Sequence, residues 1–420
     1  MLTTVPRGTK DILPNEVTTW LYVENILRKV CQSFGYQEIR TPIFEHTELF
    51  KRGIGDATDV VEKEMYTFLD RGERSITLRP ENTAGVVRSF VENKLYADLQ
   101  VQKLFYIGSM FRYDRPQAGR YREFHQFGIE ALGSSAASLD AECILLAVTA
   151  LQKLGLKDLQ LKINSVGCSN CRPQYRAKLQ EFFKDKKDEL CEDCQSRLER
   201  NPMRILDCKN SHCKELVKDA PVLTECLCDK CRDHFTNVQQ FLDSVGIKYE
   251  IDYNLVRGLD YYTKTAFEVQ YPPLGAQSAV AGGGRYDGLV EQIGGPATPG
   301  IGFAMGLERI ILALEKQNLL PQNLKFTDVF CVCNNSDNFP KMFKIVNELR
   351  NKGLSVEFDY SLGSMKSQMK KANKFQAKNT LIFGDDEMTH GCVILRNMQT
   401  SEQKEIAIEN IFNELQEVKK

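Results

Sequence analysis

The stretch GSMFRYDRPQAGRYREFHQFGIE, residues 108–130, decides the fold. It lies across two strand-like runs, expected at residues 103–113 and 121–133, which are separated by the polar segment DRPQAGR. This pattern predicts antiparallel strands joined by a loop that is longer than a tight turn. Because side chains alternate between the two faces of a strand, Gln126 and Glu130 are expected to point into one pocket.

The same stretch is rich in arginine and also contains carboxylate acceptors. Arginine presents planar donors that fit phosphate or carboxylate oxygens. The pattern therefore predicts a site for an anionic substrate. The alternative is a solvated hairpin whose charged edges deter aggregation. The charged residues concerned are Arg112, Arg115, Arg120, Arg122, Glu123 and Glu130.

The segments around this hairpin also have recognisable patterns. Upstream, the sequence predicts a helix that is capped by Asn15 and ended by Gly35, followed by extended chain at residues 36–44. Downstream, strands are expected within residues 249–271, and a helix is expected to begin near Met305.

Length and composition limit the possible classes of protein. A chain of 420 residues predicts two or three domains. Its 55 basic and 56 acidic residues nearly cancel, so any nucleic acid must be bound by local patches. No stretch approaches the roughly 20 apolar residues that span a bilayer, and the N-terminus lacks the apolar core of a signal peptide. We therefore expect a cytoplasmic protein without a membrane partner.

Cysteine is abundant, with 14 in the chain, and most cysteines cluster between Cys168 and Cys231. In a reducing compartment, paired C-x-x-C spacing favours zinc over disulfides. A helix expected from Pro173 to about Lys187 would separate the first two pairs by roughly 20 Å. The sequence therefore predicts two structural zinc sites, with free thiols as the alternative. The expected sites are Cys168, Cys171, Cys228 and Cys231, and Cys191, Cys194, Cys208 and Cys213.

Three further stretches combine arginine with glycine or tyrosine. LVRGLDYYTKTAFEV (255–269) reads as an aromatic, strand-like run. In AGGGRYDGLVEQIGG (281–295), successive glycines permit close approach of the backbone to a ligand, and a flexible turn is the alternative. PGIGFAMGLERI (299–310) places Arg309 in the first turns of a helix, where plain packing is the alternative. None of them fits a phosphate-binding P-loop or the dinucleotide fingerprint.

Together these stretches resemble class II aminoacyl-tRNA synthetases, and within them the histidyl enzymes. TPIFEHTELF (41–50) resembles motif 1 at the dimer interface, FRYDRPQAGRYREFHQFGIE (111–130) motif 2, and GIGFAMGLER (300–309) motif 3. LVRGLDYY (255–262) and GGGRYDGLV (282–290) resemble two signatures peculiar to the histidyl enzymes. The resemblance covers essentially the whole chain and implies a homodimer that joins L-histidine to ATP and then to tRNA(His).

The expected fold combines the resemblance with the pattern of elements. It is an α+β catalytic domain with a mainly antiparallel sheet flanked by helices, a helical Cys-rich insertion and a C-terminal α/β domain. Residues 1–165 and 248–322 would form the two parts of the class II catalytic domain, and residues 166–247 the insertion. Residues 323–420, in which short strands alternate with helices, would form the anticodon-binding domain.

The resemblance implies that arginines carry the chemistry. Arg112 would contact the ATP α-phosphate and the histidine carboxylate, and Arg309 the γ-phosphate end. Arg257 would supply positive charge at the α-phosphate, where other class II enzymes use a metal ion. Arg120 and Glu123 are further expected ATP contacts, and Mg²⁺ would accompany ATP. An ionised carboxylate needs no proton removed before it attacks, so positioning and charge stabilisation suffice.

The resemblance also implies how histidine is recognised. Glu130 and Tyr262 would grip the two imidazole nitrogens, one of which donates while the other accepts. A site of this kind can reject analogues by roughly 10⁴ to 10⁵ without editing, so we do not expect the insertion to be an editing domain. The residues expected to bind histidine are Glu81, Thr83, Gln126, Glu130, Tyr261, Tyr262 and Tyr286.

Contacts with tRNA are expected in both parts of the chain. Gln117 and Arg115 would meet the acceptor end from the loop of motif 2. Lys370 and Lys374 belong to a row, with Lys366 and Lys378, that recurs every four residues on one face of a helix and at its exit. A solvated lysine face is the alternative reading of this row.

Two other functions compete with this hypothesis. The first is a non-catalytic paralogue that regulates histidine biosynthesis on the same fold. The presence of Arg112, Arg257 and Arg309, and of a domain after Pro321, argues against it. The second is a zinc-dependent nucleic-acid-binding module without turnover, against which the arginine set also argues.

Overall fold

Both strands of the predicted hairpin form, and they lie in the main sheet of the protein. The computed structural model describes residues 3–55, 58, 60–98, 100–208, 210–321, 327–333 and 335–417. The chain divides into two compact units, Met1–Leu320 and Pro321–Lys420. The expected boundary between residues 322 and 323 lies outside the described residues.

The strands of the first unit alternate with its helices along the chain. The strands are β1 (Gln37–Glu38), β2 (Phe44–His46), β3 (Tyr66–Leu69), β4 (Ser75–Leu78), β5 (Gln102–Phe111), β6 (Glu123–Leu132), β7 (Gln160–Ser165), β8 (Glu250–Ile251), β9 (Thr263–Gln270), β10 (Ala279–Arg285) and β11 (Gly300–Gly306). The helices are α1 (Pro14–Ser33), α2 (Thr47–Ile54), α3 (Thr83–Glu92), α4 (Ala137–Lys153), α5 (Arg172–Lys184), α6 (Glu192–Arg200), α7 (Ser211–Val217), α8 (Asp229–Ser244), α9 (Leu289–Gln292) and α10 (Leu307–Lys316).

The main sheet has the order β1-β5-β6-β11-β10-β9-β7-β8 in the described residues. Only the outer pairs, β1 with β5 and β7 with β8, are parallel, and the five pairings between them are antiparallel. The expectation of a mainly antiparallel sheet is therefore confirmed. A smaller sheet, β2-β4-β3, contains the end of the segment that was expected to be extended.

The two faces of β6 differ as the two-residue period predicts. Phe127 and Ile129 are fully buried in a core that also includes residues of α1, α4 and α10. On the other face lie Gln126 and Glu130, which are opposite Gly306 and Gly302 of β11. The sheet thus has one apolar face against helices and one face that carries polar side chains.

The first helix begins differently from the expectation. Helix α1 starts at Pro14 with Leu13 as its N-cap, so Asn15 lies inside the first turn and the predicted cap was wrong. Proline suits this position because its fixed φ matches the helix and the first turn needs no N–H donor there. Gly35, with φ +78°, follows the helix end as expected.

The cysteine-rich segment is helical and lies between β7 and β8, so the sheet is interrupted and then resumes as expected. It contains α5, α6, α7 and α8, and the predicted helix at Pro173 corresponds to α5. Its apolar side chains form one buried cluster with residues of the first unit that lie outside the insertion, including Tyr261, Tyr262 and Tyr286. The insertion and this part of the catalytic sheet therefore share a hydrophobic core.

The second unit is an α/β domain with its own core. Its elements are β12 (Val329–Cys333), α11 (Phe339–Asn351), β13 (Val356–Phe358), α12 (Met365–Lys374), β14 (Asn379–Phe383), α13 (Asp385–Thr389), β15 (Cys392–Asn397), β16 (Gln403–Ala407) and α14 (Ile411–Glu417). The sheet order is β13-β12-β14-β15-β16. The first three strands are parallel, as predicted, and the last two add antiparallel pairings. Among the described residues, no helix of either unit has the length and apolar character needed to cross a membrane.

Candidate active site

A cavity of about 440 Å³ opens on the polar face of the main sheet. This volume is in the range of small-molecule sites. Its walls come from the loop after β5, from β6, β9, β10 and β11, and from the irregular segment before β9. Of the residues predicted from sequence, those that line it are Glu81, Thr83, Arg112, Arg120, Gln126, Arg257, Tyr261, Tyr262, Tyr286 and Arg309.

Two arginines of the motif 2 stretch are held on one side of the cavity. Arg112 donates from Nε to the carbonyl of Pro80 at 2.8 Å, and its guanidinium lies 5.4 Å from the centre of the Phe124 ring. Arg120 donates from Nε to the carboxylate of Asp114. Because Arg112 is anchored through Nε, its terminal nitrogens can be directed at a ligand, whereas Nη2 of Arg120 also lies 3.7 Å from Oε1 of Glu64.

Arg309 approaches from the start of α10. It donates from Nε to the carbonyl of Gly119 at 3.2 Å and from Nη1 to the carbonyl of Ala279 at 2.9 Å. Burial lowers the pKa of Arg309, and the neighbouring cations Arg120 and Arg112 lower it further. Three guanidinium groups thus face one region, where an anion would relieve their repulsion.

Arg257 lies on the irregular segment 252–262, which was read from sequence as strand-like; in the structure β9 begins only at Thr263. Its Nη1 donates to Oε2 of Glu268 at 2.7 Å. Its Nε is buried and has no hydrogen-bond partner among the described residues. A buried N–H without a partner is costly, so this atom indicates a place for a ligand oxygen.

The glycine run predicted to allow close approach is part of strand β10, so the flexible-turn alternative was wrong. A Cβ atom at Gly282 would overlap the guanidinium of Arg257. At Gly283 it would overlap the backbone and side chain of Phe303 in β11. These glycines therefore make room for a cavity arginine on one face of the sheet and for a neighbouring strand on the other.

A connected set of acidic and hydroxyl groups forms another wall. Glu81 accepts hydrogen bonds from the backbone N–H groups of Thr83 at 2.7 Å and Ala84 at 3.0 Å, at the start of α3. The Thr83 hydroxyl donates to Oε1 of Glu130 at 2.7 Å, and the Tyr286 hydroxyl donates to Oε2 of Glu130. Burial raises the pKa of Glu81, and it raises the pKa of Glu130 to about 8 although Tyr286 and Thr83 act in the opposite direction.

Glu130 does not itself line the cavity, although its neighbours Thr83, Tyr286 and Gly302 do. Its carboxylate lies directly behind them, since a Cβ atom at Gly302 would overlap it. The predicted pair, Gln126 and Glu130, therefore shares a strand face, with Gln126 at the cavity surface and Glu130 one layer deeper. The Oε1 atom of Gln126 is buried and has no partner among the described residues.

Three tyrosines close this end of the cavity. The ring centres of Tyr261 and Tyr262 are 4.7 Å apart, and those of Tyr261 and Tyr286 are 5.6 Å apart. Burial raises the pKa of each of the three phenols, so they remain neutral hydrogen-bonding groups at neutral pH. Aromatic faces with hydroxyl tips suit a flat, polar ring such as imidazole.

Other predicted residues lie outside the cavity. Glu123 is not among its lining residues, and Arg115 and Gln117 have exposed positions in the loop between β5 and β6. In the second unit, Lys370 and Lys374 are exposed on α12. Lys366 is exposed on the same helix, whereas Lys378 lies beyond it and pairs with Asp328 at 3.2 Å. The row therefore has three members on the helix and its fourth beyond the helix end, as predicted.

Sequence reasoning missed several residues of the site. Glu268 lines the cavity from β9, and the alternation of polar and apolar residues in that strand was a usable signal. Asp207, which comes from the insertion, gave no such signal because nothing local relates it to the sheet. Arg285, within the glycine-rich signature, is fully buried and donates to Asp140. It therefore supports the sheet from behind rather than contacting a ligand in the cavity.

The eight predicted metal ligands form two groups, with the same members as predicted from sequence. Within each group the four sulfur atoms lie within 4.8 Å of one another. In one group, Cys168 Sγ is 3.6 Å from Cys171 Sγ and 3.9 Å from Cys228 Sγ. In the other, Cys191 Sγ is 3.8 Å from Cys208 Sγ. We call the first group, with Cys231, cluster A, and the second, with Cys194 and Cys213, cluster B.

Comparison with known proteins covers nearly the whole chain. Residues 8–310 match the family model described as histidyl-tRNA synthetase, and residues 328–418 match a model described as an anticodon binding domain. A protein of Desulforamulus reducens named histidine–tRNA ligase is 54% identical over 411 residues, which are 98% of each chain. One of Clostridioides difficile with the same name is 53% identical over 418 residues, which are 99% of this chain and 100% of the other. The crystal structure of apo histidyl-tRNA synthetase of S. aureus has a TM-score of 0.85 at 40% identity, covering 99% of this chain and 100% of the other.

Proposed function

Because this chain belongs to the histidyl-tRNA synthetase family, it activates L-histidine with ATP and transfers the histidine to tRNA(His), and we propose that the cavity beside β6 is its active site. The observation that carries this assignment is the convergence of Arg112, Arg257 and Arg309 on one cavity. The catalytic fold and the anticodon-binding domain together also remove the two competing functions from consideration.

In the first step, the histidine carboxylate attacks the α-phosphorus of ATP, which enters with Mg²⁺, and pyrophosphate leaves. Arg112 and Arg257 stabilise the charge that develops on the α-phosphate oxygens, and Arg309 holds the γ-phosphate end. Arg120 neutralises further phosphate charge. The attacking carboxylate is already ionised, so the step requires donors held in place rather than a base. In the second step, a ribose hydroxyl of the tRNA attacks the adenylate carbonyl and AMP leaves.

Histidine is bound at the opposite end of the cavity. The ammonium group donates to Glu81 and to Oε1 of Gln126, whose missing partner supports this role. The Tyr262 hydroxyl meets one imidazole nitrogen. Glu130 accepts the ring N–H once the side chain of Thr83 or Tyr286 shifts to expose the carboxylate. A carboxylate can accept more than two hydrogen bonds, so the bond from the ring can be added to those already present. Tyr261 and Tyr286 pack against the ring.

We propose further that tRNA is contacted at two places. Arg115 and Gln117 lie exposed in the loop that borders the cavity, where the acceptor end must arrive. Lys370 and Lys374 present positive charge on α12 of the second unit, whose family model is an anticodon-binding domain. Glu123, the first residue of β6, remains a proposed ATP contact, although it does not line the cavity.

Each cysteine cluster is proposed to hold one structural Zn²⁺. A tetrahedron with zinc–sulfur distances of about 2.3 Å has edges of about 3.8 Å, and the sulfur separations of 3.6, 3.8 and 3.9 Å fit this value. A disulfide would need about 2.05 Å. Backbone N–H groups of Cys228 and Cys191 donate to Cys171 Sγ and Cys213 Sγ, as thiolate ligands require.

A homodimer and a cytoplasmic location complete the proposal. The segment resembling motif 1 leaves Ile43 and Phe44 exposed, and β3, the other outer strand of the small sheet, exposes Phe68 and Leu69. These four apolar side chains are suited to a subunit interface. Charging of tRNA and eight reduced thiols both fit the cytoplasm.

The site is tested by ATP–pyrophosphate exchange with each amino acid in turn, in the wild type and in Gln126→Ala and Arg309→Ala. We expect exchange with histidine alone, a raised KM for histidine in the first variant and a raised KM for ATP in the second. Unchanged constants in both variants would show that the substrates bind elsewhere. Elemental analysis tests the zinc sites separately, and we expect two zinc ions per chain. Less than about one, with eight titratable thiols, would refute the two sites.

A further inference from the structure

The segment that carries Arg257 has little regular structure of its own. Residues 252–262 lie between β8 and β9 and form only turns and bends. We call residues 255–262 of this segment the arginine loop. It bears Arg257, Tyr261 and Tyr262, all of which line the cavity. Since no ladder of strand or helix hydrogen bonds fixes the loop, its conformation depends on contacts with neighbouring parts of the chain.

The insertion supplies such contacts along the loop. Arg204 donates from Nη1 to the carbonyl of Arg257 at 2.8 Å. Asn201 donates from Nδ2 to Oδ1 of Asp260 at 3.1 Å. Asn201 directly precedes the short 3₁₀ turn Pro202–Ile205, and Arg204 belongs to this turn. The turn lies between α6 and the last two cysteines of cluster B. At the far end of the loop, Arg172 donates to the carbonyl of Tyr262.

Each of these donors is close in sequence to a predicted metal ligand. Asn201 and Arg204 lie between Cys194 and Cys208, so cluster B closes the chain on both sides of them. Arg172 directly follows Cys171 of cluster A. A metal ion in each cluster would therefore fix the backbone from which the donor side chains reach the loop.

Hydrophobic packing also connects cluster B with the arginine loop. Ile205 and Cys194 are fully buried in the hydrophobic cluster that also contains Tyr261 and Tyr262. Asp207, which directly precedes Cys208, reaches the cavity and is one of the groups whose charge raises the pKa of Arg257 against the effect of burial. Cluster B is thus continuous with the wall of the cavity.

We propose that cluster B, when loaded with metal, positions Arg257 for histidine activation, and that Asn201 and Arg204 transmit this positioning to the arginine loop. The proposal rests on the zinc sites and on the role of Arg257 proposed above. Arg204 acts through the backbone of Arg257 and is a positioning residue rather than a catalytic one. The insertion is accordingly a metal-dependent brace for the adenylation site.

The test compares Arg204→Ala with Arg176→Ala. Arg176 is a matched control because its guanidinium donates to the carbonyl of Glu199, so that this hydrogen bond stays within the insertion. Three properties of each variant are measured: the zinc content per chain, the melting temperature, and the kinetics of histidine-dependent pyrophosphate exchange. The kinetics give kcat and the KM for ATP. Arg204→Lys, which keeps a donor and the charge, is the rescue variant.

We expect Arg204→Ala to retain two zinc ions and to lose kcat by about 10- to 100-fold with KM nearly unchanged, since misplacing a reacting group by about 1 Å can cost 10²-fold. Arg204→Lys should recover part of the loss, and Arg176→Ala should match the wild type. Arg204→Ala at the wild-type kcat, or an equal loss in Arg176→Ala, would overturn the proposal.

Zinc content and kcat of the wild type and of Cys208→Ser distinguish failure of the proposed zinc sites from failure of the proposed positioning of Arg257. Cys208→Ser is expected to lower zinc to about one ion per chain and to reduce kcat as Arg204→Ala does. If the wild type holds no zinc, the metal sites fail. If it holds zinc and Cys208→Ser loses one ion without a change in kcat, only the brace fails.

Discussion

Replacement of Arg257 by alanine is the most direct test of how the site works. Its Nη1 is bound to Glu268 at 2.7 Å, while its buried Nε has no partner among the described residues. The side chain is therefore tied on one side and has a donor ready for a phosphate oxygen. Removing one donor that stabilises developing charge costs about 10²–10³ in rate, so we expect adenylate formation in Arg257→Ala to slow by that factor.

Part of this loss would come from Glu268, which the variant leaves without its cation. A phosphate bonded to the other side of the guanidinium would lie about 6 Å from the carboxylate, where two unit charges repel by roughly 3 kcal/mol at an effective dielectric constant of about 20. That energy corresponds to about 100-fold in rate. The double variant Arg257→Ala/Glu268→Gln should therefore be faster than Arg257→Ala, yet slower than the wild type.

The assay is single-turnover formation of histidyl-adenylate, followed by steady-state pyrophosphate exchange. Arg257→Lys should rescue poorly, because an ammonium group lacks the planar fork that spans Glu268 and a phosphate together. Glu268→Gln alone serves as the control for changes in the carboxylate. Exchange near the wild-type rate in Arg257→Ala would refute the assigned role.

Three further predictions concern other parts of the protein. The pKa of Glu130 is raised to about 8, so an imidazole N–H that needs the ionised carboxylate should bind more tightly as pH rises from 6 to 8; because the imidazole of free histidine also loses its proton near about pH 6.5, titration calorimetry should show a steeper trend in the wild type than in Glu130→Gln, and Glu130→Ala should raise KM for histidine while ATP binding persists. Neutralising Lys370 and Lys374 should weaken tRNA binding and flatten its salt dependence, because fewer counterions are released, without affecting exchange; an unchanged salt slope would favour a merely solvated face. Arg285→Met should destabilise the first unit by up to about 3–5 kcal/mol in denaturant unfolding, because it removes the guanidinium from the buried Asp140 carboxylate and leaves that carboxylate with only the Thr265 hydroxyl and the His234 imidazole as partners; a loss below about 1 kcal/mol would contradict this reading.

The strands and the arginine-rich stretch at residues 108–130 could be predicted from local signals, whereas the roles proposed for Arg257 and Arg309 came from the resemblance to the histidyl enzymes. The two-residue period of β6 placed Gln126 and Glu130 on one face, and the polar loop before it marked the end of β5. The spacing of the cysteine pairs, together with one helix length, was enough to predict which eight cysteines lie together in two groups of four. In each case the relevant residues lie within one element or are related by a simple distance along it.

The depth of Glu130 could not be read from the same period. Alternation assigns a side chain to a face of the sheet, but it does not show what lies above that face. Here Thr83 from the start of α3 and Tyr286 from the end of β10 cover the carboxylate. These neighbours come from segments far away in sequence, so only the folded chain relates them to β6.

The conformation of the arginine loop likewise depends on segments that are distant in sequence and could not be predicted from its own residues. This dependence matters because the loop carries Arg257. Fixing the backbone of one residue costs about 1–2 kcal/mol, and residues 255–262 form no regular ladder to offset that cost. The compensation comes from Asn164, which donates to the carbonyl of Leu255 at 3.0 Å, and from Asn201 and Arg204 of the insertion. If Arg257 has the proposed catalytic role, its placement depends on the segments that hold this loop. Arg309, at the start of a helix that packs on the sheet, depends far less on the insertion. Loosening the insertion should therefore impair the α-phosphate end of the site before it impairs the γ-phosphate end, so that kcat falls while KM for ATP is retained.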